Sequence, residues 1–315
     1  MKTPSFWYEP RGFLSFLLRP FGYLYGKGVS LRQIFSKTQR FSVPIISVGN
    51  IVCGGSGKTP VAIAIAKLLQ KKGHHVHFVT RGYGGALQGP LEVKPHIHTA
   101  REVGDEPLLL AQCAPTWMAK KRVLGIQEAI RNQADVIILD DGHQTLGFYK
   151  DLSFVVVDLL QGFGNGCVTP AGPLREELRA GLGRTDAIIG VGKGKTDLGK
   201  PFFGALRRHP RLTFTHPVLA FCGLGFPQKF YETLKESGAE VVATESFPDH
   251  YIYQESDLQH LQKLAAIHQS LLITTRKDWV RLPPAWQDKV QVLDIEIHFK
   301  DQEHLYGFIV SKALV

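Results

Sequence analysis

Between Val48 and Leu69 the chain reads VGNIVCGGSGKTPVAIAIAKLL, and this stretch constrains the fold more than any other. Ile45–Val48 is an apolar run rich in β-branched residues. From Thr59 onward Ala62, Ile63, Ala66 and Leu69 recur at helical spacing. The six residues Gly54, Gly55, Ser56, Gly57, Lys58 and Thr59 therefore fall on a strand-to-helix turn. Successive backbone N–H groups and a helix N-terminus face an anion there, and glycine lets the backbone close round it without a Cβ in the way. Lys58 is placed to reach terminal phosphates, and the Thr59 hydroxyl to ligate Mg²⁺. The common form of such a loop has an outer glycine where this chain has Val52. The inner glycines make the cradle, so Val52 weakens the match without removing the phosphate site.

Short β-branched runs alternate with helical patterns on either side of this turn. Strands are expected at Ile45–Val48, Val76–Thr80, Val136–Leu139, Phe154–Val157 and Ala187–Val191, and helices at Lys58–Lys72, Pro107–Cys113, Val123–Asn132 and Leu174–Ala180. Strands that are apolar throughout imply a mainly parallel sheet covered on both faces. A second series of strands and helices follows Lys200, after a Gly- and Lys-rich stretch that reads as a connection. The expected fold class is α/β. A P-loop NTPase-like, doubly wound, mainly parallel sheet occupies residues 43–200 and a smaller α/β domain residues 201–315. Residues 1–42 form an N-terminal interfacial segment with a helix.

A phosphate loop needs acidic partners for a metal. Val136–Leu139 ends in Asp140 and Asp141, and open α/β sheets place ligands at strand ends. Arg81 closes the second strand near the same edge. Asp105 and Glu106 precede a helix, where Asp105 is either functional or an N-cap. Arg175 and Glu176 are expected at a helix start after a Gly–Pro turn, Arg175 to neutralise phosphate charge and Glu176 to join the metal shell. His74, His75 and His77 read as surface residues. The four cysteines form no C-x-x-C pair, which fits a reducing compartment and argues against a disulfide framework. No cleavable signal peptide is evident.

The net charge of +9 is uneven. Residues 1–42 carry Lys2, Arg11, Arg19, Lys27, Arg32, Lys37 and Arg40 against Glu9 alone, whereas residues 201–315 hold 12 basic and 13 acidic side chains. The same terminus holds eight aromatic residues from Phe6 to Tyr25, and its uncharged runs fall far short of the roughly 20 residues of a membrane span. Phe13 and Phe16 between Arg11 and Arg19 suit an interfacial segment on an anionic surface. An amphipathic helix packed on its own domain is the other reading. Pro10 and Pro20 are expected to bracket a short helix from Arg11 to Arg19.

Taken in order, FWY, VGNIVCGGSGKTP, TRGYGG, GDEP, DDGHQ, PAGPLREEL, FPDHYIY and TTRKDWVRL resemble the tetraacyldisaccharide 4′-kinase (lipid A 4′-kinase) family over most of the chain. The resemblance implies ATP and Mg²⁺ and an acylated glucosamine disaccharide as acceptor. It also implies a place on the cytoplasmic face of the bacterial inner membrane, with no nucleic acid and no obligate protein partner. The catalytic set would be Asp105 as base, supported by His250, with Lys58 and Arg175. The nucleotide would lie on Gly54–Thr59, the metal on Thr59, Asp140, Asp141 and Glu176, and the lipid against Phe13, Phe16, Arg11, Arg19 and Arg81. The chain departs from the family pattern at His143, Thr145 and Arg276. A soluble P-loop kinase or ligase for a small molecule and a membrane-recruited nucleotide switch are the alternatives.

Overall fold

The computed structural model describes residues 4–34, 38–209 and 214–314, apart from the side chains of residues 30 and 32–34. Lys2 and Lys37, and the Arg32 side chain, lie outside the described residues. The first part of the chain runs α1 (Phe13–Ile34), β1 (Ile45–Gly49), α2 (Lys58–Lys71), β2 (Val76–Thr80), β3 (Leu91–Glu92), α3 (Ala100–Val103), α4 (Asp105–Ala111), β4 (Thr116–Met118) and α5 (Arg122–Arg131). It continues through β5 (Val136–Asp140), β6 (Leu152–Asp158), α6 (Leu178–Gly183), β7 (Ala187–Val191) and β8 (Phe202–Arg208). The remainder runs β9 (Val218–Cys222), α7 (Pro227–Glu236), β10 (Val241–Ser246), α8 (Glu255–Ile267), β11 (Leu271–Thr275), α9 (Arg276–Trp279), α10 (Pro284–Gln287), β12 (Val290–Leu293), β13 (Glu296–Phe299) and α11 (Gln302–Ala313).

Nine strands form one sheet in the order β13-β8-β7-β6-β1-β5-β2-β4-β3, and four form a second in the order β10-β9-β11-β12. Every residue of β1, β2, β5, β6 and β7 is buried, as expected of strands covered on both faces. β1 pairs in parallel with β5 on one side and β6 on the other. The chain thus leaves β1 toward one edge and later returns to its opposite side. Open parallel sheets bind ligands at such a switch point, beyond the carboxyl ends of the strands.

The division expected after residue 200 does not follow the sheets. β8 lies within the first sheet, and the last strand and helix return to it: β13 pairs antiparallel with β8. Leu305 and Ile309 of α11 join Phe154 and Phe203 in the first core. The Gly- and Lys-rich connection is therefore internal to the first domain, and the smaller unit spans β9 to β12. Continuity in sequence hid this, because β13 follows β12 after only two residues.

Three local expectations also change. α1 runs straight through Pro20 instead of ending before it. Proline removes one helix hydrogen bond at a cost of about 3 kcal/mol, and the helix is held beyond that point by close packing. A Cβ on Gly22 would lie 2.6 Å from the Val168 carbonyl oxygen. α6 begins only at Leu178, so Arg175 and Glu176 precede the helix. Leu174 bridges both Val52 and Val168, and the Arg175 amide donates to the Ile51 carbonyl at 2.8 Å, which keeps this stretch extended. His77 is buried in β2, where its Nδ1 accepts from the Trp117 indole at 3.2 Å. Among the described residues no helix is long and apolar enough to cross a membrane.

Candidate active site

The turn after β1 is stiffened from within. Asn50 is fully buried, and its amide donates to Ser56 Oγ at 2.9 Å. Gly57 (φ +87°) occupies the left-handed region just before α2, where a side chain would be strained. A Cβ on Gly55 would meet open space. Val52 is 8% exposed and packs with Ile51, Val155, Val157 and Leu174. The outer glycine position is thus held by a core residue, and the cradle begins at Gly54.

β5 delivers its carboxylates beside this loop. Thr59 Oγ1 donates to Asp140 Oδ2 at 2.8 Å, and Lys58 Nζ lies 3.8 Å from Asp141 Oδ1. Burial, reinforced by nearby Glu106 and Asp141, pushes Asp140 above the usual carboxylate range. Burial also raises Asp141, but Lys58 and Arg175 more than offset it and hold its carboxyl low. Arg175 Nη1 donates to both Asp141 oxygens at 3.0 and 3.1 Å. Arg122, which carried no expectation, donates Nη2 to the carbonyls of Asp140 and Asp141 at 2.9 and 3.0 Å. It also donates to Thr145, and so clamps the acidic turn to α5.

Asp105 is 4% exposed and is not a helix cap: Gly104 holds that position. His250 Nδ1 lies 3.2 Å from Asp105 Oδ2, with Lys277 Nζ at 3.6 Å and the Arg281 guanidinium against the same oxygen. Burial raises the Asp105 carboxyl, yet the His250 hydrogen bond and the Lys277 and Arg281 charges outweigh it and hold it well below the usual range. His250 adopts φ +59°, a conformation rare outside glycine, so the chain accepts backbone strain to present this ring. Asp105 belongs to α4 beside the first sheet, while His250, Lys277 and Arg281 belong to the second unit.

One cleft of about 2010 Å³ joins these parts, lined by Lys58, Thr59, Asp141, Arg175, His250 and Lys277 among others. Arg81 lines it and is exposed. Glu176 has side-chain donors of its own. It is buried, and its oxygens take Arg184 Nη2 at 2.6 Å and Gln144 Nε2 at 3.0 Å. In the same cleft lining, buried Asp158 takes Arg207 Nη2 at 2.9 Å, with Lys229 of α7 at 3.8 Å.

The family model described as tetraacyldisaccharide-1-P 4′-kinase matches residues 14–313. The chain belongs to the tetraacyldisaccharide 4′-kinase family. It is 46% identical to the tetraacyldisaccharide 4′-kinase of Parvibaculum lavamentivorans over 90% of this chain and 88% of that one. It is 42% identical to that of a Jannaschia species over 96% of both. A crystal structure of LpxK from Aquifex aeolicus in complex with ATP superposes with a TM-score of 0.79 at 30% identity, covering 95% of this chain and 99% of that one.

Against the tetraacyldisaccharide 4′-kinase pattern, the three departures have distinct settings. His143 is 1% exposed, with ring nitrogens 3.3 Å from Ser153 Oγ and 3.2 Å from the Gly181 carbonyl, so it packs beneath the acidic turn. Thr145 accepts from Arg122. Arg276 pairs with Asp294, Nε donating at 2.7 Å, and stacks on Trp279.

Proposed function

We propose that this protein is an ATP-dependent kinase that transfers the γ-phosphate to the 4′-hydroxyl of a tetraacyl glucosamine disaccharide 1-phosphate, a step of lipid A biosynthesis. The observation that carries the reading is that the glycine cradle and His250, whose ring touches Asp105 behind it, line one cleft. The residues fit a nucleotide. The cradle has space for phosphates, and Arg122 Nε is a buried donor without a partner among the described residues. They also fit Mg²⁺: Thr59, Asp140 and Asp141 offer hard oxygen donors, and the crowding of Asp140 with Glu106 is what a cation would relieve. Bound there, Mg²⁺ would supply charge neutralisation at the transferring group.

This chain's own residues do the rest. Lys58 meets the β/γ-phosphates, and Arg175 offsets charge on the equatorial oxygens. Asp105 takes the proton of the acceptor hydroxyl, with His250 orienting it. The lipid comes by way of α1. This helix docks through the small buried residues Ser15, Gly22 and Gly26, while Phe13, Phe16, Phe21, Tyr23 and Leu24 are each at least 60% exposed. A helix packed as core would show the reverse pattern. It therefore serves as an in-plane anchor on the cytoplasmic face of the inner membrane, with Arg19 and Arg81 toward lipid phosphates. Arg11 acts differently, since its Nε donates to the Asn165 carbonyl at 2.9 Å.

The test is mass spectrometry of the lipid after incubation with ATP and Mg²⁺, with Lys58→Ala as control. One phosphoryl group gained at the 4′ position with the parent and none with the variant supports the reading. An unmodified lipid under parent conditions sinks it.

A further inference from the structure

Arg281 has the least solvent-exposed side chain of the cations around Asp105, at 2%, and it reaches the carboxylate from a different structural unit. Two groups hold its far side. Nη1 donates to the Gly223 carbonyl at 3.2 Å and to Asp278 Oδ1 at 3.0 Å. Asp278 is itself fully buried and fixed by the Gly223 amide at 2.8 Å, the Tyr253 hydroxyl at 2.9 Å and Thr275 Oγ1 at 2.6 Å. The guanidinium is planar and its fork is rigid, so its orientation is set by the second sheet before it meets Asp105. Nε and Nη2 then both donate to Asp105 Oδ2.

His250 and Lys277 fall on that same oxygen. Among the described residues no hydrogen bond or ion pair falls on Asp105 Oδ1. Charge-assisted bonds from two prongs of one guanidinium hold Oδ2 in place and leave Oδ1 as the oxygen with free acceptor capacity.

We propose that Arg281 is a positioning residue for phosphoryl transfer: it grips Oδ2 of Asp105 from the second unit and so makes Oδ1 the atom that accepts the acceptor's proton. The proposal rests on the reading of Asp105 given above. In the step it serves, the acceptor O–H bond breaks and its proton passes to Oδ1. The acceptor oxygen bonds to the γ-phosphorus, and the bond to the β,γ-bridging oxygen breaks, with that electron pair leaving on ADP. The site is complete only when the second unit is seated, since the first sheet holds the base and the second holds the group that aims it.

The experiment measures kcat, KM for ATP, KM for the lipid and the melting temperature of Arg281→Ala, Arg281→Lys and Asp105→Asn. Misplacing a reacting group by about an ångström costs on the order of 10²-fold in rate. Arg281→Ala is therefore expected to lose about that factor in kcat with KM for ATP little changed. Added guanidinium ion should restore part of the loss, and methylammonium should not. Arg281→Lys keeps the charge but cannot bridge Asp105, Asp278 and Gly223 together, so it should also be slow. If Arg281→Ala fails to fold, Arg281→Lys and Asp278→Asn decide the matter by the same criterion. A folded variant with the parent's kcat overturns the proposal, as does an Arg281→Ala kcat loss that guanidinium leaves unrelieved or that disappears in assays well below the melting temperature. An active Asp105→Asn would instead remove Asp105 as base, whatever Arg281 does.

Discussion

Asp141 combines a backbone demand with an electrostatic one. It sits at φ +49°, where asparagine and aspartate are the side chains best tolerated, and its carboxylate faces both Lys58 and Arg175. Asp141→Asn should thus keep the turn and remove only charge. It is expected to raise the Mg²⁺ concentration needed for half-maximal rate, and an unchanged Mg²⁺ titration would remove Asp141 from the metal site. Lys150 makes a different prediction. Its Nζ donates to the His143 carbonyl at 2.8 Å. Burial first, then Arg184 and Arg122, lower its amine to about 7, against 10.5 in the unfolded chain. Between those two values the unfolded state binds the extra proton, so stability rises with pH. Below about pH 7 both states are charged and the burial penalty is felt in full. Melting temperatures of the parent and Lys150→Met near neutral pH and about two to three pH units higher, inside that window, test this. The parent should gain on the variant as pH rises, and parallel curves would show that Lys150 is charged throughout.

Among the elements, α1 inverts the usual logic of a surface helix, burying serine and glycine and exposing its rings. Two weak terms then act together at a membrane: about 1 kcal/mol for each cation near an anionic surface, and about 25 cal/mol per Å² of apolar area buried. Phe13→Ser with Phe16→Ser and Arg19→Glu should lower binding to anionic vesicles and raise KM for the lipid. KM for ATP should stay, because the cradle is untouched. Binding by the parent should also weaken with salt. Since Phe13 and Phe16 are exposed, the melting temperature should hold. A variant that melts early yet binds vesicles like the parent would make α1 a packing element. Arg11 is a poor choice for this test, as its bond to the Asn165 carbonyl ties the N-terminal turn to the body.

The whole molecule consists of two sheets on either side of the cleft, and their units also pack directly, where Val280 joins Val103, Leu108 and Met118 in one cluster. Asp158 with Arg207 and Lys229 lines that cleft, and Asp105 with Arg281 joins the two units. The first core is completed by the end of the chain: Phe203 of β8, Ile297 and Phe299 of β13, and Leu305 and Ile309 of α11. A fragment of residues 1–200 should therefore not fold cooperatively, because Phe154 and its neighbours would lose that cover. Circular dichroism melts are the measure, and a sharp transition for the fragment would restore the boundary at residue 200.

The sequence by itself determined what depends on spacing along the chain. The strand–glycine–helix turn, the run of fully apolar strands and the carboxylates at the end of β5 follow from periodicity and from conformations that glycine tolerates best. The ordered motifs added Asp105 and His250. Tertiary structure decided the rest, since the deciding contacts join residues far apart in sequence. Asp105 and Arg281 are 176 residues apart, and an arginine beside α9 looks like any solvated cation until the second sheet is seated. Arg122 was hidden for the same reason, and Glu176 was expected at a helix start because the bridge that holds its segment to the β1 loop is a pairing across the chain. Val52 in place of the outer glycine was visible from the start. Only the packing of Val52 against Leu174 shows why a β-branched residue belongs there: the position faces a core, and the phosphate cradle begins two residues later.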